Sequence, residues 1–330
     1  MKKKLLGKYG MQASVVAFGA WAIGGWKWGG SDAQASVAAV EASLDAGVDF
    51  IDTAAVYGFG LSEDIVGRAI QGRSREDIIV ATKCGLRWDI ETPTLHAESE
   101  GKRICRTLEP SSIRWELEQS LQRLGTDYID LYQTHWPDPE TGIESVVETF
   151  EALKKEGLIR AWGLCNESAE QLAVAAQLGG LATDQEKYSM LDREQDSANL
   201  AVCEEHDLGF LCYSPIAQGL LTGKIDAKRQ FAKGDLRIGN PRFAPRAIEA
   251  IQAVLAPIKS LARDRDVSVE QLVLAWTLNQ PGVSHVLVGT RDVEQAKSNA
   301  MAGSIELDDD EMAMITQAAA AWPGFDALKS

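Results

Sequence analysis

The chain has 330 residues, 45% hydrophobic and 25% charged, the balance of a globular protein whose core needs no disulfide staples. Its net charge of −15, with no lysine- or arginine-rich block, argues against a nucleic-acid partner. The basic start "MKKKLLGKYGMQ" leads into no apolar run, and no stretch nears the roughly 18 apolar residues of a membrane helix, so neither a signal peptide nor a membrane partner is expected.

In chain order, short β-rich runs alternate with amphipathic helical ones. "VVAFGAW" (from Val15) precedes "AQASVAAVEASLDAG"; "VDFIDTA" (from Val48) precedes "SEDIVGRAI"; "IIVATKC" (from Ile78), after a long loop, precedes "SSIRWELEQSLQRLG". "YIDLYQTHW" (from Tyr128) precedes "ESVVETFEALKKEG", and "IRAWGLC" (from Ile159) precedes "AEQLAVAAQLG". "LATDQEK" (from Leu181) leads to "DSANLAVCEEH", "GFLCYS" (from Gly209) to a long loop and two helices, and "SHVLVGT" (from Ser284) to "DVEQAKSNAMAG". Near-continuous apolar strands separated by helices imply a buried parallel sheet, and eight such units predict a (β/α)8 TIM barrel. An N-terminal β-hairpin in "KKLLGKYGMQAS" is expected to close the floor, and residues 308–320 to form an extra C-terminal helix. No linker or repeat divides the chain, which reads as one domain over 1–330.

The five cysteines have no CxxC or metal-ligand spacing and read as free thiols of a reducing compartment, which places the protein in the cytoplasm. No HxH or histidine–carboxylate cluster marks a metal site, so none is expected.

Reactive groups of such a barrel collect where strands end, at the C-terminal mouth. Strand two delivers Asp52 and, in its loop, Tyr57; strand three delivers Lys83; strand four delivers His135. Together these make a proton-donating unit. A free tyrosine, with a pKa of about 10, is a poor acid near neutrality. A nearby lysine ammonium favours the phenolate and is expected to lower that pKa, Asp52 keeps the lysine charged, and His135 orients a carbonyl oxygen towards the phenol. A site that protonates a developing alkoxide calls for a hydride donor. "GFGLSE" (from Gly58) and "GLLTGK" (from Gly219) are incomplete nucleotide fingerprints. The barrel's own phosphate site, after strands seven and eight, holds Tyr213 to stack on a flat ring, Gly289 and Thr290 at a helix start, and Arg291 for a second phosphate. Asn166 and Gln185, after strands five and six, suit a carboxamide.

The chain resembles the aldo-keto reductases along nearly its whole length. The likeness is carried by "DFIDTAAVYGFGLSEDIVGRAI", "ATKCG", "TDYIDLYQTHWPDP", "SPIAQGLLTGK" and "GTRDVEQ", with "WAIGGWKWGG" similar to bacterial general-stress or oxidoreductase-like members. That resemblance implies Tyr57 as general acid, tuned by Lys83 and Asp52, with His135 positioning a small-molecule carbonyl substrate. It implies an extended NADP(H), with NAD(H) a weaker alternative. Ala20 and Trp21 would flank the nicotinamide, Asn166 and Gln185 its carboxamide, and Tyr213 its ring. Ser214, Pro215, Ile216, Ala217, Gln218, Lys224 and Arg237 would hold the pyrophosphate, and Gly289, Thr290, Arg291 and Gln295 the adenosine phosphate. The chain departs from the family pattern at Cys165, where serine is common before the asparagine, and at Ala20, where threonine is frequent.

Trp21, Trp26, Trp28, Trp88 and Trp136 fall in loops near the mouth and suggest an aromatic-walled substrate pocket, with Trp21, Trp88 and Trp136 expected on the substrate; Trp115 and Trp276 are expected to fill cores, and the loops 86–110 and 218–245 to act as lids. NADP(H) is preferred because of Arg291, the adenosine segment showing no carboxylate except Asp292 beside it. No tyrosine has a lysine four residues on, against a short-chain dehydrogenase. A second reading is a cofactor-bound regulatory or redox-sensing barrel with slow turnover. Oligomeric state is not legible.

Overall fold

The computed structural model describes residues 1–9 and 11–328. The chain opens with a hairpin, β1 (Lys3–Leu5) against β2 (Gln12–Ser14); Gly10, within the expected hairpin segment, lies outside the described residues. Eight parallel strands then close into a barrel in chain order: β3 (Val16–Gly19), β4 (Phe50–Asp52), β5 (Ile79–Cys84), β9 (Ile129–Thr134), β10 (Ile159–Cys165), β11 (Leu181–Lys187), β12 (Gly209–Tyr213) and β13 (Val283–Gly289). The outer ring consists of α1 (Ala33–Asp45), α2 (Leu61–Ile70), α3 (Pro110–Leu124), α4 (Ile143–Lys155), α5 (Ala169–Leu178), α6 (Asn199–Glu205), α7 (Pro245–Asp264), α8 (Val269–Leu278) and α9 (Val293–Ala302). The expected C-terminal helix is α10 (Asp309–Ala320), begun by a reciprocal capping box between Asp308 and Glu311 and packed on α7.

Strand alternation sorts the core into two shells. Outward residues such as Ile51, Val80, Tyr132, Trp162 and Phe210 pack under the helices. Inward residues Phe50, Ala81, Leu131 and Leu211 fill the lower barrel around Leu6, which the hairpin drives into the floor and which is fully buried. Two residues further along each strand, on the same inward face, the apolar layer gives way to Asp52, Lys83 and Gln133. The reactive layer is thus the next storey of the core.

The segment 86–110, expected as a loop, folds into a three-stranded antiparallel sheet. It contains β6 (Leu86–Arg87), β7 (Leu95–Ser99) and β8 (Lys102–Arg106), in the order β6-β8-β7. Trp276 is buried as expected, but Trp115 is 41% exposed, because α3 turns it outward under the Arg87 guanidinium, 3.8 Å from its ring. The base of this sheet is tied to α3 by Glu116, whose two oxygens accept the Gly85 N–H at 3.1 Å each. Burial, only partly offset by that hydrogen bond, raises Glu116 to about 8. An acid whose folded pKa is raised binds its proton longer in the native state, so stability falls as pH climbs from about 4.5 to about 8 and levels off above. Glu116→Gln keeps the acceptor and removes that loss. Its melting temperature should match wild type near pH 5 and exceed it by roughly 3 °C or more at pH 8.5, and a difference independent of pH between these points would refute the buried ionisation.

Candidate active site

The turn after β4 brings Tyr57 over the barrel mouth. Its glycine bracket has a steric cause: Gly58 has φ 66°, and a Cβ there would lie 2.2 Å from the Gly24 carbonyl oxygen. The close approach seats the Tyr57 loop directly on the turn that carries Trp21.

Below it, the Lys83 ammonium donates to both carboxylate oxygens of Asp52 at 2.8 Å and to the Thr53 carbonyl at 3.0 Å. The Lys83 side chain is fully buried and that of Asp52 is 6% exposed. Asp52 also accepts from Gln185 Nε2 at 2.9 Å and Gln133 Nε2 at 3.5 Å. Gln185, expected at the carboxamide, therefore sits in the carboxylate's hydrogen-bond shell. Asn166, with φ 58°, donates to the His135 carbonyl at 2.9 Å and accepts from the Tyr213 hydroxyl at 2.7 Å, linking β9, β10 and β12 across the mouth. Cys165 lies behind, its thiol 3.7 Å from Gln185 Oε1 and pushed up by burial.

The Tyr57 ring stands edge-on to His135, centroids 5.5 Å apart, with Lys83 Nζ 5.3 Å from its centroid. Its hydroxyl has no protein partner among the described residues. The expected downward shift of its pKa is not what this environment produces. Burial raises the phenol well above 10, and the charge of Asp52 and then Cys165 add to the rise, because Lys83 is committed to Asp52. Tyr57 is a neutral phenol. Burial, then Lys83, then His96, hold His135 well below the usual histidine range, so its ring is neutral.

These groups open into a cleft of about 850 Å³ that runs across the mouth. Trp21, Asn166, Gln185, Tyr213, Ser214, Pro215, Ile216, Gln218, Lys224, Arg237, Gly289, Arg291, Gln295 and Trp136 line it together. Ala20, Ala217 and Thr290 are buried behind its wall. Trp88 is not on it either, since its ring packs against Phe59 at 5.6 Å. Thr290 serves instead as a strut, donating to the Val288 carbonyl and accepting from Asn299 at 3.0 Å.

Ser214, Ala217, Gln218 and Gly219 have φ of 56°, 46°, 55° and 98°, a tight turn held by the Ala217 N–H on the Ser214 carbonyl at 2.8 Å and the Gly219 N–H on the Ile216 carbonyl at 3.0 Å. Lys224 and Arg237, expected on the pyrophosphate, are each tied to a carboxylate, Glu270 at 2.5 Å and Asp235 at 2.6 Å. The Arg237 segment crosses to the opposite rim, where Leu236 N–H donates to the Lys27 carbonyl at 2.9 Å and Trp28 bridges to Asp235. The indole N–H groups of Trp21 and Trp28 are buried without partners, so a ligand oxygen in this cleft would satisfy donors the protein leaves open.

Several cleft residues went unassigned from the sequence. Asn299, which lines the cleft, lies four after Gln295 on one helix face, and Gln133, buried beneath the cleft against Asp52, lies two before His135 on the same inward face, so periodicity could have found both. Glu294, a second carboxylate on the adenosine side, corrects the expectation that Asp292 stands alone there. Asp292 itself is occupied as the N-cap of α9, accepting Gln295 N–H at 2.8 Å. Trp26 and Trp28 line the cleft as part of the expected aromatic wall, whereas His96 reaches it through tertiary folding that no local pattern announces.

An eight-stranded barrel carries a buried lysine–aspartate pair beneath an unpartnered phenol at its mouth, beside a long cleft. The family model for the aldo/keto reductase family matches residues 15–320, and the chain belongs to that family. It is 39% identical over 292 residues to an aldo-keto reductase, YhdN, of Bacillus subtilis (strain 168), covering 88% of this chain and 85% of that protein. It is 36% identical over 326 residues to an NADH-specific methylglyoxal reductase of Escherichia coli (strain K12), covering 97% and 99%. Among solved structures it is similar to a glycerol dehydrogenase from Gluconobacter oxydans, with a TM-score of 0.86, 36% identity, and coverage of 97% and 95%. No helix among the described residues is long and apolar enough to cross a membrane.

Proposed function

We propose that this protein reduces an aldehyde, ketone or sugar carbonyl to the alcohol, reversibly, at the expense of NADP(H). The observation that carries the reading is the Tyr57 hydroxyl, a neutral phenol with no protein partner, placed at the cleft over the Lys83–Asp52 pair. A nicotinamide dinucleotide, when bound, supplies the hydride. Tyr57 donates its proton to the carbonyl oxygen as negative charge develops there. The phenolate left behind is stabilised by the Lys83 ammonium, whose charge Asp52 and the Thr53 carbonyl hold in place. Neutral His135 directs the carbonyl oxygen towards the phenol, and the edge-on contact fixes their relation. Asn166 and Tyr213 suit the nicotinamide end, the Ser214–Gly219 turn the pyrophosphate, and Arg291 an adenosine phosphate.

Arg291 supports NADP(H), since it is exposed at the cleft with no carboxylate bonded to it, while Asp292 is used by its helix. Glu294 favours the second choice, NAD(H), because an exposed carboxylate can accept from a ribose hydroxyl. The test is oxidation of NADPH and NADH with 4-nitrobenzaldehyde, in wild type and in Arg291→Ala. Loss of a charge-assisted contact should weaken NADPH binding by about tenfold to a hundredfold and leave NADH within about twofold. Equal losses would reject the role of Arg291, and faster turnover with NADH in wild type would move the preference to Glu294.

A further inference from the structure

The antiparallel sheet β6–β8 delivers one titratable side chain to the cleft, His96 of β7. Its Nδ1 lies 3.2 Å from Arg106 Nε on the neighbouring strand β8. A guanidinium has only donors and keeps its proton at any working pH, so Nδ1 must be the acceptor and the imidazole proton must reside on Nε2. Arg106 is itself fixed, donating to the Pro137 carbonyl at 3.3 Å and lying over the Trp136 ring at 5.1 Å. The His96 ring packs on the same tryptophan, with centroids 5.3 Å apart. Four restraints thus hold one neutral imidazole with a defined tautomer on the wall of the cleft. Among the described residues its Nε2 has no protein partner, and it is not sealed from solvent. Burial, Arg106 and Lys27 push the ring to about 4, which keeps it in that uncharged, single-donor form.

We propose that His96 is a specificity-determining hydrogen-bond donor that selects carbonyl substrates bearing a second acceptor oxygen, a hydroxyl or a further carbonyl, away from the reacting carbon. The inference rests on the carbonyl-reductase reading and refines it: Tyr57 and His135 address the oxygen that becomes the alcohol, and His96 addresses another one. The surrounding wall is aromatic: the Trp26 indole N–H is spent on Ser99 at 2.9 Å, and the open indole N–H groups of Trp21 and Trp28 are the donors His96 would act beside. A polar substrate group would satisfy Nε2–H, whereas an alkyl group of the same size would strip water from it and leave a donor unpaired, the situation in which binding sites discriminate most strongly.

The experiment compares kcat/KM for glyceraldehyde and for propanal in wild type, His96→Phe and His96→Gln. Each substrate serves as its own control across the variants, so its hydration in water cancels. In His96→Phe the ratio of glyceraldehyde to propanal should fall about tenfold, through KM more than kcat, with propanal unchanged or improved. His96→Gln, which keeps an N–H donor, should recover part of the ratio. A ratio unmoved in both variants, or equal losses for both aldehydes, overturns the role of His96 and leaves the reductase reading standing. Wild-type protein that reduces neither aldehyde with either cofactor overturns the reductase reading, and this one with it.

Discussion

Tyr57→Phe should lower the rate of carbonyl reduction by about 10²- to 10⁴-fold while cofactor affinity stays within about twofold of wild type. The substitution removes one oxygen atom from a ring whose position is set by packing. The ring sits 6.2 Å from Trp21 and 5.5 Å from His135, and the loop beneath is locked by the Gly24–Gly58 contact. Phenylalanine keeps all of that, so the variant isolates the proton. The pH profile adds a second arm. A general acid works only while protonated, and burial with Asp52 nearby holds this phenol well above its ordinary 10. Reduction by wild type should therefore stay level from about pH 6 to about pH 9, whereas alcohol oxidation, which needs the phenolate, should rise with pH. A reduction rate that falls through neutral pH would show instead that Lys83 lowers the phenol despite its pairing with Asp52. Turnover that survives in Tyr57→Phe would favour the slow regulatory barrel over the reductase.

Much of this site is legible in the sequence because barrel geometry turns position along a strand into position in space. Asp52, Lys83 and His135 stand at or just past the ends of successive strands, and the structure brings all three to one mouth with Tyr57 above them. The failures have physical causes. The pKa direction of Tyr57 depends on where the Lys83 ammonium is spent, and a strand pattern does not say that both Asp52 oxygens take it. Trp88 and Trp115 look alike in sequence, as aromatic residues near the mouth or on a helix, but the fold of the 86–110 sheet decides which ring is covered, and it sends one to Phe59 and the other to Arg87. Lys224 and Arg237 line the cleft as expected, but their pairing with Glu270 and Asp235 depends on tertiary contacts that the sequence does not announce. His96 lies in a segment whose sequence shows no clear alternation, and its pairing partner Arg106 is ten residues away across a bulged register.

The buried Lys83–Asp52 pair supports the second large expectation. Asp52→Asn leaves an ammonium fully enclosed in the barrel, with only the Thr53 carbonyl and neutral amides as partners. Breaking a buried pair in this way typically costs about 3–5 kcal/mol, which should lower the melting temperature by about 10 °C. Lys83→Met strands the carboxylate instead, but Gln185 Nε2 at 2.9 Å and Gln133 Nε2 at 3.5 Å continue to donate to it, so its loss should be the smaller of the two. The double variant Asp52→Asn with Lys83→Met removes both charges and should return most of the lost stability, giving a coupling of about 2 kcal/mol or more in the cycle. Activity should not return with it, because the phenolate formed on Tyr57 then has no cation beneath it. Recovered folding without recovered turnover separates the two duties of the pair. Additive losses in the double variant would mean that Lys83 and Asp52 each stabilise the barrel through other neighbours, and that the ion pair is held for catalysis alone.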